Sequence, residues 1–265
     1  SQHFGIRWIR FLRTDAEATR IRLKPDGTLE AVLELRRADP RVKLVTLSRN
    51  FGYHAALMAG LAVSACANKQ ATDSLASADP RIHVLHRPKK MGLGTAYVAG
   101  FGWGLEKGFD ALIEMDADFS HDPKYLPRML ELLESQDFVI GSRYVPGGGT
   151  VNWGLGRRIL SRGGSLYART ILGANVRDFT GGFNGWSRQV LQSVDLGSLR
   201  SDGYSFQIEL KYRAIRRGFR FQEFPIVFED RKVGKSKMSR RIVLEALARV
   251  WSFRFRPVLD PKSLP

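Results

Sequence analysis

Residues 112–123, LIEMDADFSHDP, say more about the fold than any other stretch of this sequence. An apolar run ends abruptly there in two carboxylates, Asp116 and Asp118, one residue apart. Because alternate residues of a strand point to the same face, we expect both carboxylates at the carboxyl end of a buried strand, where open α/β sheets bind ligands. Convergent carboxylates suit a hard divalent cation. A strand followed by an Asp-rich turn is the simpler alternative, and this stretch alone leaves both open.

Length, composition and charge narrow the class of protein. The 265 residues are 43% hydrophobic and 11% aromatic, which predicts one large α/β domain with a small appendage. A net charge of +16 indicates an anionic partner, namely phosphorylated substrates, a membrane surface or nucleic acid. No helix-turn-helix, zinc-finger or RNP-like segment accompanies that charge, so we expect no nucleic acid.

Cysteine content and hydropathy bear on the compartment. A single cysteine, Cys66, rules out an intramolecular disulfide and is typical of a reducing compartment. No stretch approaches the ~18 consecutive apolar residues of a membrane-spanning helix. Residues 1–13 interleave arginines with apolar residues and lack the apolar core of a signal peptide. We therefore expect a soluble or peripheral protein on the cytoplasmic side.

From residue 78 onward, short apolar runs alternate with helical patterns. This alternation predicts a doubly wound α/β sheet with mostly parallel strands. The predicted strands are 82–85, 111–115, 138–141 and 219–228, and the predicted helices are 94–105, 123–133, 158–172, 204–217 and 239–253.

The first part of the chain contains an internal repeat. The segment ADPRVKLV at 38–45 recurs as ADPRIHVL at 78–85, and the match continues without a gap to residues 61 and 101. We interpret 38–61 and 78–101 as duplicated or joined strand-loop-helix units. The second copy leads into the Asp116 strand with ordinary loop lengths, so it should occupy the usual position. The first copy should stand in for a missing neighbouring unit, with 42–47 forming a parallel strand beside 82–85.

Seven segments, in a constant order, resemble family 2 glycosyltransferases and most closely the polyprenol-phosphate (dolichyl-phosphate) mannose synthases. They are LHRPKKMGLGTAYVAGF (85–101), EMDADFSHDPKYLP (114–127), VIGSRYVPGGG (139–149), NWGLGRRILSRGGSLYAR (152–169), RDFTGGF (177–183), SDGYSFQIEL (201–210) and GKSKMSRR (234–241). The resemblance spans roughly two-thirds of the chain. It implies the GT-A fold, a Rossmann-like sheet that binds a nucleotide sugar.

The resemblance also implies a reaction. We expect inverting transfer of mannose from GDP-mannose to a polyprenyl (dolichyl) phosphate by a metal-dependent enzyme, peripheral at the cytoplasmic membrane face. Asp116 and Asp118 are the expected ligands of Mg²⁺ or Mn²⁺, with Ser120 as a weaker third ligand, and the cation would neutralise charge on the leaving group. The acceptor phosphate is already ionised at neutral pH, so it needs positioning by cations and no catalytic base.

Several polar residues are candidates for binding phosphates or substrate. Arg143 follows a buried strand, so we expect it at the same sheet edge as the carboxylates, where its planar fork suits a phosphate; a solvated surface arginine is the alternative. Asp178 could orient the sugar or cap the following turn. The full set of expected contacts is Asp26, Arg143, Arg157, Arg158, Asp178, Arg231, Lys235, Ser236 and Lys237.

The N-terminal part departs from the family pattern. The usual nucleobase-binding and ribose-binding motifs are absent, and only PDGT at 25–28 is similar to the end of one of them. LSRNFGYH at 47–54 is instead similar to undecaprenyl-phosphate sugar transferases. Two alternatives follow, namely transfer of glucose or another sugar to undecaprenyl phosphate, or a catalytically impaired remnant that binds membranes or partners.

These features divide the chain into three parts. Residues 1–24 form an unmatched basic segment, 25–230 a GT-A-like domain, and 231–265 a basic tail with an amphipathic helix. In the tail, aliphatic and aromatic residues alternate with arginines, which is typical of a helix at a membrane surface. A helix that closes the domain core is the alternative.

Overall fold

The computed structural model describes residues 6–12, 44–48, 77, 82–86, 92–117, 120–199, 201, 203–229 and 240–255. Within these ranges the strands are β1 (Ile6–Leu12), β2 (Leu44–Ser48), β3 (Ile82–His86), β4 (Ala111–Ala117), β5 (Phe138–Ser142), β6 (Gly149–Val151), β7 (Asn184–Ser187), β8 (Phe221–Pro225) and β9 (Val227–Glu229). The α-helices are α1 (Leu93–Glu106), α2 (Leu126–Leu133), α3 (Leu155–Leu172), α4 (Arg188–Ser193), α5 (Tyr204–Arg216) and α6 (Arg240–Phe255). Two short 3₁₀ turns span Pro123–Tyr125 and Leu196–Ser198.

A five-stranded sheet in the order β1-β4-β7-β5-β8 forms the centre of the fold. β7 is antiparallel to both β4 and β5, whereas β5 and β8 are parallel. Three of the five strands, β4, β5 and β8, therefore run in one direction and end at the same edge of the sheet. This confirms the predicted α/β class and brings the end of the Asp116 strand to the edge where Arg143 follows β5.

Apolar side chains pack on the faces of this sheet. Leu112, Ile113 and Met115 on β4 are fully buried, and so is β5 along its whole length. On one side Tyr97 of α1 stacks on Phe206 of α5 with ring centroids 5.2 Å apart. The packing makes α5 an unusually buried helix, since its residues 205–212 are all shielded from solvent.

One predicted strand is wrong. The run 219–228 was expected to form a single strand, but β8 ends at Pro225 and β9 begins at Val227 in a separate two-stranded sheet with β6. The chain changes sheets at Ile226, whose N–H donates to Ser142 O and whose carbonyl accepts from Gly149 N–H, both at 3.0 Å. Ile226 thus makes the last hydrogen bond toward β5 and the first toward β6, so the run is shared between two sheets.

The duplicated segments pair with each other. β2 and β3 are parallel, with Leu44 opposite Ile82, which confirms the predicted pairing of the two copies. In the part of the chain that the structure describes, however, they form a separate two-stranded sheet. The prediction that they extend the sheet of the Asp116 strand is wrong, because β4 has two edges and β7 and β1 occupy them. The helix of the first copy lies outside the described residues.

β1 comes from the N-terminal segment that resembled nothing in the family. It runs antiparallel to β4 over seven residue pairs, from Ile6 opposite Ala117 to Leu12 opposite Ala111. One edge of β4 is thus covered by a strand that the sequence patterns did not predict.

Two glycines of α1, Gly94 and Gly102, differ in how closely the helix approaches other parts of the protein at their positions. A Cβ on Gly94 would lie 2.3 Å from the Ser201 carbonyl oxygen, whereas one on Gly102 would meet nothing within 4 Å. We expect Gly94→Ala to lower the free energy of unfolding by about 1–3 kcal/mol through overpacking. Gly102→Ala should raise it by up to about 1 kcal/mol through helix propensity. Urea unfolding of the two variants checks both signs, and equal effects would contradict the close approach.

Candidate functional site

The metal motif begins at the end of β4. Asp116 is the next-to-last residue of that strand, which places its backbone at the edge shared with β5. Its side chain and the whole of Asp118 lie outside what the structure describes, while Ser120 is buried. Two carboxylates and a hydroxyl form an all-oxygen donor set of the kind that Mg²⁺ and Mn²⁺ bind. The donor chemistry therefore fits the cation, and the ligand assignment stays a prediction.

Arg143, the first residue after β5, forms a buried ion pair with Asp178. Its Nε and Nη2 donate to Asp178 Oδ2 and Oδ1 at 2.7 and 2.6 Å, and its backbone N–H donates to Oδ2 at 3.0 Å. Nη2 also donates to Thr180 Oγ1 at 3.0 Å. Only 6% of the Arg143 side chain and none of the Asp178 side chain is exposed. The alternative of a solvated surface arginine is wrong.

The pair is charged throughout the physiological range. Burial would raise the pKa of Asp178, yet the charge of Arg143 and its hydrogen bonds outweigh burial and lower that pKa below its ordinary value. Burial likewise opposes the charge on Arg143, and Asp178 reverses the effect so that the pKa of the guanidinium is raised. The Asp178 carboxylate therefore neither caps a turn nor faces solvent, because its three hydrogen bonds go to Arg143. A role of Arg143 toward a phosphate stays a prediction.

Aromatic rings enclose the guanidinium. The Arg143 Cζ lies 5.2 Å from the ring centroid of Tyr144, 5.4 Å from that of Trp153 and 5.6 Å from that of Phe228. Such placement over ring faces is favourable for a cation. Arg157 stacks on Trp153 as well, with its Cζ 4.1 Å from the ring centroid.

The same rings connect Arg143 to the metal motif. His121, the residue after Ser120, is buried and packs against Phe183 and Phe228, with centroids 5.0 Å away in both cases. Phe228 is thus shared between His121 and Arg143. The shared rings bring His121, Arg143 and Arg157 into one neighbourhood. The proximity of Arg143 to the Asp116 and Asp118 carboxylates stays a prediction.

Two hydrogen bonds tie this neighbourhood to helix α3. The Tyr144 hydroxyl donates to Ser161 Oγ at 2.7 Å, and Ser165 Oγ lies 3.2 Å from Thr180 Oγ1, which in turn accepts from Arg143. Ser161 and Ser165 are one helical turn apart, so they lie on the same face of the helix.

The remaining predicted residues are distributed differently. Arg158 is exposed and donates through Nη2 to the Thr150 carbonyl at 3.3 Å. The other five predicted phosphate or substrate contacts lie outside the described residues; they are Asp26, Arg231, Lys235, Ser236 and Lys237.

A layer of buried polar side chains next to the site was not predicted. Asn184 Nδ2 donates to Glu114 Oε1 at 2.5 Å and to Gln207 Oε1 at 3.0 Å, and Gln207 Nε2 donates to Glu114 Oε2 at 3.2 Å. These three residues link β4, β7 and α5. A sequence signal did exist, because Glu114 and Gln207 fall within the family segments, but charged and amide residues were not expected in the core.

Comparison with known proteins identifies the family. The sequence model of glycosyl transferase family 2 matches residues 68–195. The chain is 51% identical over 178 residues to the undecaprenyl-phosphate mannosyltransferase of Micrococcus luteus, covering 67% of this chain and 73% of that protein. It is 48% identical over 190 residues to the polyprenol monophosphomannose synthase of Mycolicibacterium smegmatis, covering 71% and 72%.

The chain belongs to glycosyl transferase family 2. Solved structures support the GT-A fold of this glycosyltransferase. Glucosyl-3-phosphoglycerate synthase from Mycobacterium tuberculosis, in complex with Mn²⁺ and uridine-diphosphate-glucose, aligns over 88% of this chain and 86% of that chain with a TM-score of 0.54 and 15% identity. The same synthase with Mg²⁺ and uridine-diphosphate also aligns with a TM-score of 0.54. At this identity the likeness concerns the fold.

The buried ion pair should be essential to the stability of the glycosyltransferase. We expect Asp178→Ala to lower the free energy of unfolding by about 3–5 kcal/mol, because it leaves the Arg143 charge buried without a counterion. Urea unfolding gives the value. Glu131→Ala is the matched control, since it breaks an exposed pair with Arg128 and should cost less than about 1 kcal/mol. Arg143→Met combined with Asp178→Leu should recover most of the loss; a double variant no more stable than Asp178→Ala would contradict this account.

Proposed function

We propose that this glycosyltransferase moves mannose from GDP-mannose to a polyprenyl phosphate with inversion at the sugar carbon. The observation that carries the proposal is the identity of about half of all aligned residues to two proteins named as mannosyltransferases of undecaprenyl or polyprenol phosphate. Neither name specifies the nucleotide of the donor. GDP-mannose comes from the resemblance of the sequence segments and is the finer part of the proposal.

The chemistry requires positive charge around two phosphate groups. An acceptor monophosphate is ionised at neutral pH and attacks the sugar carbon directly, so the protein has to orient it and needs no base. We assign three arginines to the acceptor and donor phosphates. Arg143 directly follows β5, and Arg157 and Arg158 lie in the first turn of α3. Arg157 has its guanidinium over the Trp153 ring, with Cζ 4.1 Å from the centroid, a contact that restricts where the guanidinium lies.

The leaving group requires neutralisation as well. A divalent cation held by Asp116, Asp118 and Ser120 would neutralise charge that develops on the departing nucleoside diphosphate. We assign phosphate contacts to four residues of the 231–237 segment, namely Arg231, Lys235, Ser236 and Lys237. Asp26 is assigned to the donor.

A surface suited to lipid is formed by α3. Leu155, Ile159 and Leu166 are 73%, 64% and 61% exposed. At 100° per residue they fall within about 40° of arc on one side of the helix. Arginines at 157, 158, 162 and 169 accompany them. Apolar side chains flanked by arginines match the interface of an anionic bilayer, where a polyprenyl phosphate resides.

Helix α6 divides its residues between core and surface. Val250 and Phe253 are buried in the domain core, so their predicted membrane-facing role is wrong and the alternative of a core-closing helix is confirmed for them. Trp251 and Phe255 are 47% and 74% exposed and stack with ring centroids 5.9 Å apart. No helix among the described ranges is both long and apolar enough to cross a bilayer. We propose peripheral attachment through α3 and the Trp251–Phe255 pair, at the cytoplasmic face.

Transfer of radiolabelled mannose from GDP-mannose to polyprenyl phosphate, with Mn²⁺ or Mg²⁺, tests the function. We expect the lipid product to appear only when the cation is present. Asp116→Asn should lower kcat/KM by about 100-fold or more, because the leaving-group charge loses its counterion. Asp122→Asn, which changes an exposed carboxylate six residues away, is the control and should behave like the parent. Unchanged turnover in a folded Asp116→Asn variant would place the cation elsewhere, and absence of lipid product from the parent would refute the reaction.

Sedimentation with liposomes tests the membrane surface. Replacing Leu155, Ile159 and Leu166 together by Gln should weaken binding of the full chain to anionic vesicles by at least about tenfold, since each removes apolar burial in the bilayer interface. Vesicles without anionic lipid should bind the parent less well. Lys124→Gln, on a different element, serves as the exposed control. Equal pelleting of the triple variant and the parent would contradict the assignment of α3.

A further inference from the structure

The 177–182 loop, RDFTGG, precedes β7 and carries Asp178. Its carbonyl groups are held by one buried ammonium on α5. Lys211 Nζ donates to the carbonyl oxygens of Asp178 and Phe179 at 3.1 Å each and of Gly181 at 2.8 Å. An ammonium has three N–H donors, and here three loop carbonyls accept them.

The amide side of the same loop is held by a carboxylate on β8. Glu223 accepts from the N–H of Arg177 through Oε2 at 2.7 Å and from the N–H of Asp178 through Oε1 at 2.9 Å. Asn184 Nδ2 adds a hydrogen bond to the Gly181 carbonyl at 3.2 Å. The main chain on both sides of Asp178 is thus fixed by side chains of opposite charge from two different elements.

A charged group at the Lys211 position is costly to the fold. The side chain is completely buried, and burial lowers its pKa to about 8, although the carboxylates of Asp178, Glu114 and Glu223 act in the opposite direction. Arg143 adds a further, smaller lowering. An apolar side chain would fill this space without the desolvation cost of a buried ammonium. We take the presence of a lysine here as a sign that its three hydrogen bonds to the loop matter.

We propose that Lys211 is a positioning residue of the transferase. Its ammonium fixes the 177–182 loop, and through Asp178 it sets the direction in which Arg143 presents its guanidinium. The inference rests on the proposed function, in which Arg143 acts on a phosphate. Lys211 contacts the main chain of the loop and acts on Arg143 through it.

A pH dependence follows from the number of donors. A neutral amine has two N–H groups and a lone pair, so it cannot serve three carbonyls, and the hold on the loop weakens as the pH rises through about 8. Because the folded pKa lies below the unfolded value of about 10.4, deprotonation between these values makes the whole fold more stable. The second pKa of the acceptor phosphate is about 6, so above pH 8 the acceptor is almost completely ionised and its charge changes little. Loss of acceptor affinity above pH 8 would therefore originate in the 177–182 loop, and neither in unfolding of the protein nor in a change of the acceptor.

Steady-state kinetics of the full chain with GDP-mannose and polyprenyl phosphate test the proposal between pH 6.5 and 9.5. In the parent we expect the acceptor KM to rise above pH 8 while the donor KM stays constant. Lys211→Met should raise the acceptor KM about 10- to 100-fold at pH 7 and abolish the alkaline rise. Lys211→Arg keeps a charge that does not titrate in this range, so it should keep a low acceptor KM up to pH 9.5. Lys124→Met, which removes an exposed ammonium, should match the parent.

An acceptor KM in folded Lys211→Met equal to that of the parent at every pH would overturn the proposal. So would a parent profile without an alkaline rise. Equal losses in donor and acceptor KM would assign Lys211 a purely structural role and would overturn it as well.

Amide hydrogen exchange on the unmodified protein decides the matter if the variants do not fold. After correction for the intrinsic exchange rates, the amides of residues 177–183 should lose protection from exchange between pH 7 and pH 9. The amides of α1 should not. Constant protection of 177–183 would overturn the proposal. Absence of mannose transfer by the parent would refute the proposed function, and the exchange experiment would still show whether Lys211 fixes the loop that holds Asp178.

Discussion

The ion pair between Arg143 and Asp178 is the constraint around which this glycosyltransferase is organised. Two opposite charges with almost no exposure are tolerated only when their hydrogen bonds are satisfied, since a buried charge without a partner costs several kcal/mol, roughly 3–5. Thr180 accepts a further hydrogen bond from the guanidinium, and three ring faces add favourable cation–π contacts. On the other side of the pair Lys211 and Glu223 hold the backbone that presents the carboxylate.

The strand that ends in the metal motif is anchored in a comparable way. Glu114 lies two residues before Asp116 and is bound by Asn184 and Gln207, so β4 is fixed to β7 and α5 just before the strand ends. A carboxylate in the centre of a sheet is tolerated because both of its oxygens accept hydrogen bonds from amides. The polar layer therefore runs from the metal motif through Gln207 and Lys211 of α5 to the loop that holds Arg143.

The sequence predicted the elements that local patterns encode. Apolar runs marked β4 and β5, and the helical patterns of α1, α3 and α5 were recognised within a few residues of their bounds. β7 was missed because its four residues, NGWS, contain one large apolar side chain and no alternation. The partner of Arg143 could not be predicted, since Asp178 is 35 positions away and nothing local couples the two. The buried charges of Glu114 and Lys211 contradict the usual rule that such residues are exposed, and only three-dimensional neighbours explain them.

Helix α3 has 18 residues and is therefore a rod about 27 Å long. Its inner side is bonded through Ser161 to Tyr144 and through Ser165 to Thr180, one step from the guanidinium of Arg143. Its outer side presents Leu155, Ile159 and Leu166 to the surroundings. The helix that exposes these three apolar side chains is therefore the same element that places two hydroxyl groups beside Tyr144 and Thr180. A substitution on its outer side that shifted the helix would also shift those hydroxyl groups, one helix diameter (roughly 10 Å) away.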